Sequence, residues 1–303
     1  MPEQAASGGW GWDCGWPAPA KVNLFLHVVG RRSDGYHLLQ TLFQFVDTGD
    51  ALHFRLRDDG RIGRSQALPG VAPEADLAIR AARALQAATG CTLGVDIALT
   101  KHLPLGGGLG GGSSDAATVL VALNHLWGAG LDLEALARLG VRLGADVPVF
   151  VAGHSAWAEG IGERLSPLVV SEPWYLLVVP GVSVATADVF SAAELTRDRP
   201  RTTIRDFLAG RAVNDCEPVV RRRYPAVGEA LDWLRAHGLQ ARLSGTGAAV
   251  FAPCPDEATA RRLRGTLPET WQGIVARGRN RSPLAYRLPG TGGVSDEATN
   301  IGP

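Results

Sequence analysis

The sequence of 303 residues has few cysteines, and none of them is placed to form a recognisable pair. The four cysteines, Cys14, Cys91, Cys216 and Cys254, are far apart, with no CxxC pair and no histidine at a zinc-site spacing. This pattern argues against a disulfide framework and against a structural zinc site. The sequence therefore predicts a reduced protein located in the cytoplasm.

The chain also lacks an excess of charge and a long apolar run. Lysine and arginine together number 30, as do aspartate and glutamate, so the formal net charge is zero. A neutral chain gives no global sign of binding to nucleic acid or to an anionic membrane. No apolar run approaches the ~18 residues of a membrane-spanning helix, and the N-terminus lacks the basic-then-apolar order of a signal peptide. The expected partners therefore include neither nucleic acid nor a membrane.

Strand-like and helix-like segments alternate along the chain, which predicts an α+β protein. The predicted strands are 22–29, 52–57, 93–99, 174–181, 241–252 (two strands around a glycine turn) and 273–279, and the predicted helices are 74–90, 114–127, 132–144, 224–238 and 256–267. Residues 1–16 and 288–303 have no periodicity and are expected to be disordered tails. Between the tails we expect two domains, 17–165 and 166–287.

Residues 104–117, PLGGGLGGGSSDAA, contain six glycines interrupted only by Leu109. They include a literal G-x-G-x-x-G from Gly106 to Gly111, but Pro104 separates it from the preceding strand, which disfavours a dinucleotide site. The stretch also ends without the lysine of a Walker A loop. A glycine loop before a helix can still bind phosphate through converging backbone N–H groups and the helix dipole. The alternative is a flexible surface loop, although such loops are usually more polar.

Two further segments contain polar residues that are candidates for catalysis. Lys21 and Asn23 lie two residues apart, and therefore on one face of the first predicted strand. A buried lysine without a partner is costly, so Lys21 either has a function or extends from the strand edge to water. Asp146 stands before Pro148 in GADVPVF, where it can cap a helix or act in catalysis, and the two roles are compatible.

The glycine loop resembles the phosphate loop of the GHMP small-molecule kinases, whose pattern is P-x-x-x-G-L-G-S-S-A-A. Three more segments are similar to motifs of one branch of that family, in the same order: PAPAKVNLFLHVVGRRSDGYHLLQTLFQ (17–44), LGADVPVF (143–150) and LSGTGAAVFA (243–252). The resemblance runs from Pro17 to about Tyr286. It implies the two-domain GHMP kinase fold, with an N-terminal ATP-binding domain and a C-terminal α/β sandwich domain.

The branch that carries all four motifs phosphorylates a hydroxyl group of a polyol linked to cytidine diphosphate, using ATP and Mg²⁺. In this branch the residue that matches Lys21 lies beside the acceptor hydroxyl, and the residue that matches Asn23 orients the substrate. The residue that matches Asp146 is the general base. The resemblance therefore implies an enzyme with a small-molecule substrate, acting as a monomer or a homodimer.

The resemblance also assigns residues that bind the cytidine substrate. The residues that match Tyr36 and Phe190 stack on the two faces of the cytosine, and the residue that matches His37 hydrogen-bonds the edge of the base. Thr186 matches a position near the substrate. Without the resemblance, SDGYHLL (33–39) would be a turn followed by a strand, with Tyr36 packed in the core.

The segment LSGTGAAVFA (243–252) is called the second glycine motif, and it is expected to line the substrate site through Gly245 and Gly247. A tight hairpin would explain the same glycines. Ser113 and Ser114 could bind phosphate or cap the following helix. The residues expected to bind ATP are Pro104, Leu105, Gly106, Gly107, Gly108, Leu109, Gly110, Gly111, Gly112, Ser113, Ser114, Lys101 and Asp76, and Ser114 is also the expected ligand of Mg²⁺.

Asp76 departs from the family pattern. The family usually has asparagine at this position, in contact with the adenine. Aspartate only accepts hydrogen bonds, whereas asparagine also donates them. Asp76 could still accept a hydrogen bond from the adenine amino group, so the resemblance leaves the nucleotide preference less well defined than the phosphate loop.

Two other functions are alternatives. Another GHMP kinase, acting on mevalonate, homoserine or a sugar, would not need GYH (35–37) together with Phe190, because it has no cytosine to hold. A non-catalytic nucleotide-binding module would not need Lys21 and Asp146 together.

Overall fold

The computed structural model describes residues 15–68, 71–72 and 74–287. Its strands are β1 (Trp16–Arg31), β2 (His37–Arg57), β3 (Ile62–Arg64), β4 (Gly94–Thr100), β5 (Ala156–Gly160), β6 (Arg164–Pro167), β7 (Trp174–Pro180), β8 (Arg242–Leu243), β9 (Val250–Cys254) and β10 (Trp271–Arg279). Its α-helices are α1 (Leu77–Thr89), α2 (Gly111–Leu126), α3 (Leu133–Val141), α4 (Val147–Ala152), α5 (Thr186–Ser191), α6 (Ile204–Leu208), α7 (Glu217–Arg223), α8 (Pro225–Ala236) and α9 (Glu257–Arg264), and a 3-10 helix covers Pro283–Arg287. The mixture of helix and strand confirms the α+β class.

The ten described strands form one connected sheet, whose main order is β3–β4–β2–β10–β7–β9–β8. The 21-residue strand β2 pairs antiparallel with β1 and with β5. Strand β10 lies between β2 and β7: it pairs with β7 along Trp271–Arg277, and with β2 at Gly278 and Arg279. The last described strand therefore connects the first half of the sheet to the second.

Helices cover the sheet and create its hydrophobic cores. One core includes Leu120 of α2 and Phe150 of α4, packed against β2 and β4. A second core includes Leu176 of β7 and Leu231 of α8. A third includes Phe25 and combines side chains from β1, β2, β7 and β9. Because strands from both halves contribute to the third core, it ties the two halves together.

Strand β1 supplies side chains to two different cores. The alternation Val22, Leu24, Leu26 and Val28 predicts one buried face, and all four side chains are buried. Val22 and Leu24 belong to the third core, whereas Leu26 and Val28 belong to the second. The pairing of β1 with β2 shifts register between Asn23 and Leu26, and such an irregularity re-aims the side chains that follow. The predicted single face is therefore divided between two cores.

The helix ends follow the sequence signals except at the glycine loop. Asp132 caps α3 through a hydrogen bond of 2.7 Å from a backbone N–H group. Gly90 ends α1 in the left-handed conformation, with a φ of 67°. Helix α2, however, begins at Gly111, before its predicted start at Ser114. Ser113 and Ser114 therefore lie inside the first helical turn, and the capping alternative is wrong for both.

Several short elements were not predicted, because none is long enough to show a period. They are β3, β5, β6, α5, α6, α7 and the 3-10 helix, each of at most seven residues. The first part of β2, residues 37–51, also lies outside the predicted strands. The longer predicted strands and helices are all present, with their ends shifted by a few residues.

The predicted tails, 1–16 and 288–303, lie outside the described residues except at their inner edge, where β1 begins at Trp16. The division into domains after residue 165 stays a prediction. None of the helices described here has the length and apolar character that a membrane span requires.

The cysteines of the described chain are Cys91, Cys216 and Cys254, and all three are free thiols. Cys14 lies outside the described residues. No cluster of three or more histidine, cysteine, aspartate or glutamate side chains that could hold a metal ion occurs in residues 15–68, 71–72 and 74–287.

Candidate active site

Lys21 is a buried cation with several polar contacts. It stands on β1, and its side chain is only 3% exposed. Its ammonium group lies 3.1 Å from Oδ2 of Asp146. The same group donates hydrogen bonds to Oδ1 of Asn23 at 2.6 Å and to the carbonyl oxygen of Gly108 at 3.2 Å. Lys21 therefore does not reach water from the strand edge: its charge is buried and is compensated by these contacts.

Asp146 precedes α4 and is partly open to solvent, with 33% of its side chain exposed. It occupies the N-cap position, but its side chain makes no capping hydrogen bond. Pro148 stands in the first turn of α4, where a missing N–H group leaves no helical hydrogen bond unmade. The carboxylate of Asp146 is therefore left to pair with Lys21, and the structure places these two residues together.

Asn23 connects β1 to the second glycine motif. Its Nδ2 donates to Oγ1 of Thr41 on β2 at 3.0 Å, which identifies Oδ1 as the atom facing Lys21. A Cβ atom at Gly245 would lie 3.3 Å from this Oδ1 and 3.7 Å from Nζ of Lys21. Because Gly245 also has a φ of 58°, a larger residue there would be both strained and crowded. Gly245 thus borders the Lys21–Asn23 group directly.

The two glycine motifs pack against each other. A Cβ atom at Gly108 would lie 2.4 Å from the carbonyl oxygen of Ser244 and 2.7 Å from that of Gly247. The hydroxyl of Ser244 donates to the carbonyl oxygen of Gly108 at 2.9 Å, and the N–H of Ala249 donates to that of Gly107 at 2.9 Å. Only a residue without a side chain permits this approach. The loop at 104–114 is therefore fixed by the fold and is not a flexible surface loop.

The first half of the loop is anchored at one leucine. Leu109 is buried, and its carbonyl oxygen accepts a hydrogen bond of 3.0 Å from the N–H of Lys21. Leu105 is exposed. A Cβ atom at Gly106 would lie 2.9 Å from Oγ of Ser183. The loop thus lies between β1 and the segment that follows β7.

The second half of the loop leads into α2 beside Lys21. Gly110 has a φ of 75°, and a Cβ atom there would lie 2.7 Å from the ring of Phe150 and 3.1 Å from Cε of Lys21. The free N–H groups of the first helical turn and the positive end of the helix dipole are therefore close to the lysine. In that turn, Oγ of Ser114 is buried and has no hydrogen-bond partner within the described chain. A buried hydroxyl without a partner fits a phosphate oxygen or a Mg²⁺ ion.

Lys101 lies beside the start of α2. Its ammonium group pairs with Asp50 and, at 3.0 Å, with Asp115, and a Cβ atom at Gly111 would lie 3.2 Å from its Nζ. Burial acts to lower the pKa of Lys101, but the two carboxylates outweigh it, so the pKa is raised. Burial raises the pKa of Asp115 to about 7; Lys101 opposes this rise and Asp50 adds to it.

Asp50 and Asp115 are residues that the sequence analysis did not select. Oδ1 of Asp50 accepts backbone hydrogen bonds from His102 at 2.6 Å and Leu103 at 2.8 Å. Asp50 therefore fixes the chain on the C-terminal side of Lys101. Asp115 belongs to the motif SSDAA, so it could have been selected from the sequence. Asp50 lies 51 residues before Lys101, and no local pattern connects the two.

Asp76 caps α1 and is engaged by neighbouring residues. Its Oδ1 accepts from the N–H of Ala78 at 2.9 Å and from Nη2 of Arg64 at 3.0 Å, and its Oδ2 pairs with the same guanidinium group. The next residue, Leu77, has its Cδ1 3.5 Å from the position of a Cβ atom at Gly112. Asp76 thus stands near the end of the glycine loop, with its carboxylate bound to Arg64. Its contact with adenine stays a prediction.

His37 and Phe190 come together from distant parts of the chain. Their rings stack with centroids 5.0 Å apart and an interplanar angle of 25°. Arg197 donates from Nε to Nε2 of His37 at 3.1 Å. Its Nη2 donates to the carbonyl oxygens of Phe190 at 2.9 Å and Ala192 at 2.6 Å. Arg197 therefore holds the histidine ring and the end of α5 in one arrangement.

The contact with Arg197 also defines the protonation of His37. Because Nε2 accepts a hydrogen bond, the neutral ring carries its proton on Nδ1. Burial lowers the pKa of His37, and the charges of Arg197 and Arg31 lower it further. His37 is therefore a neutral ring at neutral pH, and its Nδ1–H has no acceptor among the residues that the structure describes. The sequence analysis missed Arg197, which lies 160 residues from His37.

Tyr36 is 60% exposed in the turn before β2. Its carbonyl oxygen accepts from the N–H of Arg32 at 2.7 Å, and its own N–H donates to Oδ1 of Asp34 at 3.2 Å. These hydrogen bonds hold the turn while leaving the ring at the surface. The alternative in which Tyr36 packs in the core is therefore wrong, and the ring is available to a ligand.

Thr186 is the first residue of α5. Its Oγ1 lies 3.0 Å from Oγ1 of Thr246. Thr246 separates Gly245 from Gly247 in the second glycine motif. The helix that carries Phe190 is thereby connected to the motif that borders the buried lysine.

Family models match both halves of this chain. The model described as GHMP kinases N terminal domain matches residues 76–154, and the model described as GHMP kinases C terminal matches residues 192–273. The first match includes the glycine loop and Asp146, and the second includes Arg197 and the second glycine motif. The chain belongs to the GHMP kinases, and its fold is the two-domain fold of that family.

Similar proteins identify a branch of the family. The chain is 62% identical over 276 residues to 4-diphosphocytidyl-2-C-methyl-D-erythritol kinase of Halorhodospira halophila, an alignment that covers 90% of this chain and 96% of the relative. It is 58% identical to the protein of the same name from Nitrosococcus oceani, covering 91% of this chain and 99% of the relative. These alignments extend over both glycine motifs, so the chain is a kinase.

Solved structures agree with this placement. A crystal structure of 4-(cytidine 5'-diphospho)-2C-methyl-D-erythritol kinase has a TM-score of 0.76 and 36% sequence identity, covering 88% of this chain and 99% of the other. Homoserine kinase from Cytophaga hutchinsonii has a TM-score of 0.66 at 18% identity, covering 87% and 93%. The second likeness concerns the fold alone.

Proposed function

We propose that this kinase transfers the γ-phosphoryl group of ATP to the 2-hydroxyl of 4-diphosphocytidyl-2-C-methyl-D-erythritol, in the non-mevalonate pathway to isoprenoid precursors. The observation that carries the proposal is the ion pair of the buried Lys21 with the partly exposed Asp146, beside a fixed glycine loop. The names of the relatives, at 56–62% identity, support the choice of substrate.

Asp146 is the proposed general base. Its carboxylate is one-third exposed and so can meet a substrate hydroxyl. It accepts the proton as the hydroxyl oxygen bonds to the γ-phosphorus and the bond from that phosphorus to the bridging oxygen breaks, releasing ADP. Lys21 holds the carboxylate and stabilises the negative charge on the reacting oxygens. Phosphoryl transfer asks mainly for positioning and charge, which this pair supplies.

The glycine loop, residues 104–114, is the proposed site for the phosphates of ATP. Its bare backbone beside the start of α2 presents N–H groups to an anion. The unpartnered Oγ of Ser114 fits a phosphate oxygen or Mg²⁺. Mg²⁺ bound with ATP would neutralise part of the phosphate charge. Lys101, paired with Asp50 and Asp115, lies beside the first turn of the helix at Gly111.

The cytosine site is proposed around Tyr36, His37 and Phe190. The exposed ring of Tyr36 and the ring of Phe190 offer flat surfaces to a base. The free Nδ1–H of His37 would donate to an acceptor on the cytosine edge. Asn23 contacts Lys21 and lies beside Gly245. Thr246, the next residue after Gly245, contacts Thr186 on the helix that carries Phe190. We propose that Asn23 and Gly245 border the polyol.

Several further expectations belong to the same proposal. We propose Mg²⁺ as the metal used with ATP, the cytoplasm as the location, and a monomer or homodimer that binds no nucleic acid. Thr186 and Gly247 are proposed to line the substrate site. Thr186 joins α5 to the second glycine motif, and Gly247 contacts the phosphate loop, which supports their placement there.

The substrate can be tested directly with the purified protein. We expect ATP consumption to begin only when 4-diphosphocytidyl-2-C-methyl-D-erythritol is added, and to stay at background with free methylerythritol, mevalonate or homoserine. Equal turnover of free methylerythritol would show that the cytidine is not recognised, and turnover of mevalonate or homoserine would indicate another GHMP kinase. Nucleotide binding without turnover of any acceptor would favour the non-catalytic module.

Replacing Tyr36 with alanine should remove one wall of the cytosine site. The loss of one stacking contact costs ~1–3 kcal/mol, so kcat/KM for the cytidine substrate should fall by roughly 5- to 150-fold. The KM for ATP should hardly change, because ATP is held by the glycine loop. Steady-state kinetics with each substrate varied in turn measures both quantities.

Tyr286→Ala is the matched control for Tyr36→Ala, since Tyr286 is another exposed tyrosine, at 65%, outside the proposed site. It should leave both constants unchanged. If Tyr36→Ala instead raised the KM for ATP and left the cytidine substrate unaffected, the two binding sites would be wrongly assigned.

A further inference from the structure

A cavity of about 820 Å³ lies beside β8, and it shares no lining residue with the proposed active site. Its walls come from β1 at Leu24, from β8, from the segment 210–215, and from helices α7 and α8. Five arginines line it: Arg199, Arg221, Arg222, Arg235 and Arg242. The lining contains only two carboxylates, those of Asp215 and Glu217. The arginines of the lining therefore outnumber its carboxylates.

Four of these arginines are already paired with carboxylates. The pairs are Arg199 with Asp215, Arg221 with Asp232, Arg222 with Glu194, and Arg235 with Glu217. Both acids of the lining are thus occupied by arginines at the cavity wall. Neither carboxylate is left to compensate a fifth guanidinium group.

Arg242 is that fifth group, and its surroundings differ. It makes no ion pair with any residue that the structure describes, and its Nη1 donates one hydrogen bond, of 2.9 Å, to the carbonyl oxygen of Leu24. A guanidinium group has five N–H donors. Burial lowers the pKa of Arg242, which reflects the cost of holding this charge away from water. A partly buried charge of this kind is stabilised when an anion joins it.

The rest of the wall also offers more donors than acceptors. Nη1 of Arg221 is buried and has no acceptor within the described chain. The lining also contains the polar residues Thr196 and Asn214. Its apolar part is formed by Leu24, Ala212, Val213, Pro218, Ala241 and Leu243. The volume lies within the range of pockets that bind small organic ligands, ~300–1,000 Å³. The wall therefore combines an anion-binding group with surface for an organic body.

We propose that this cavity is a second ligand site, which binds a small phosphorylated organic molecule with its phosphate group on Arg242. Arg242 is suited to this role because its planar fork can donate two parallel hydrogen bonds to a phosphate. The organic part of the ligand lies against Leu24 and Leu243. The buried Nη1 of Arg221, which has no acceptor within the described chain, adds a further donor at the cavity wall.

The site is connected to the active site through the backbone. Leu24 directly follows Asn23 on β1, and Arg242 lies shortly before Gly245. Asn214 of the cavity wall donates from Nδ2 to the carbonyl oxygens of Leu243 at 2.9 Å and Gly245 at 2.8 Å. An anion bound to Arg242 would therefore lie close to β1 and to the second glycine motif, the two segments that meet at Lys21.

Isothermal titration calorimetry with inorganic pyrophosphate tests the site. The full chain is first saturated with a non-hydrolysable ATP analogue and Mg²⁺, so that the glycine loop is occupied, and ionic strength is kept constant. We expect the wild type to bind pyrophosphate, and Arg242→Gln to weaken this binding about 10-fold or more, the effect of losing a charge-assisted hydrogen bond. Glutamine keeps an N–H donor for the carbonyl oxygen of Leu24.

Three variants separate the possible outcomes. Arg242→Lys, which keeps the charge but not the fork, should bind with intermediate affinity, and it serves as the test if Arg242→Gln does not fold. Arg138→Gln, on the exposed face of α3, should bind like the wild type. Lys21→Ala should also bind like the wild type. No binding to the wild type, or binding lost in Lys21→Ala but kept in Arg242→Gln, would overturn the proposal.

Discussion

Replacing Asp146 with asparagine should lower kcat by about 10²–10⁴-fold, the range for loss of a general base. Asparagine has nearly the same shape but cannot take the proton of the acceptor hydroxyl. The change should leave folding intact, because Asp146 makes no capping hydrogen bond to α4 and Lys21 keeps its acceptors on Asn23 and Gly108. ATP binding should also be unchanged, since the glycine loop does not contain Asp146. Single-turnover kinetics and calorimetry with ATP measure the two effects separately.

Asp132→Asn is the matched control, because Asp132 is a second aspartate at a helix N-terminus, where it makes a capping bond that asparagine can also make. Its activity should equal that of the wild type. Lys21→Ala should behave like Asp146→Asn. Activity of Asp146→Asn within ~3-fold of the wild type would exclude the general-base role. If Lys21→Ala mainly unfolded the protein, the lysine would be structural.

Replacing Gly110 with valine should disable ATP binding through steric conflict. The Cβ atom would lie 2.7 Å from the ring of Phe150 and 3.1 Å from Cε of Lys21, and the φ of 75° is strained for a branched residue. The affinity for ATP should fall about 10-fold or more, since strain of this kind alone costs on the order of 1–3 kcal/mol. The cytidine substrate should still bind. Because the new side chain displaces Lys21, kcat should fall as well.

A control variant at Gly128 separates the effect of the steric clash from that of the backbone strain. Gly128 has a φ of 64° and nothing within 4 Å of its Cβ position, so Gly128→Val carries the strain alone. We expect Gly128→Val to lower the melting temperature slightly and to leave the affinity for ATP unchanged. Equal weakening of ATP and the cytidine substrate in Gly110→Val would point to general unfolding instead of a blocked phosphate site.

The sequence predicted those parts of the fold whose signal is local. Long periodic segments such as α8 and β7 were found, because their buried faces repeat within one element. The division of β1 between two cores could not be predicted, because it depends on a register shift against β2. Helix α2 begins at Gly111 because the glycine loop is fixed by distant contacts, whereas helix propensity alone places its start later.

In the candidate site, too, the sequence did not predict features that depend on contacts between distant parts of the chain. Lys21 and Asp146 were selected from motifs, and the structure adds the contact that joins them. Asp50 and Arg197 were missed because each acts on a residue far along the chain, on Lys101 and His37 respectively. Their own sequence neighbourhoods resemble ordinary surface segments. Such positioning residues become visible only when the fold brings the two ends together.

The central place of β10 has a consequence for synthesis on the ribosome. Residues 271–279 are made after both β2 and β7, yet they fill the space between these two strands. Until they emerge, β7 has an unpaired edge, and an open edge of this kind is a template for pairing with another chain. A nascent chain that stalls before residue 271 would carry both glycine motifs but no completed sheet. Such a product should be recognised by chaperones and proteases, and should not accumulate as a partly active enzyme.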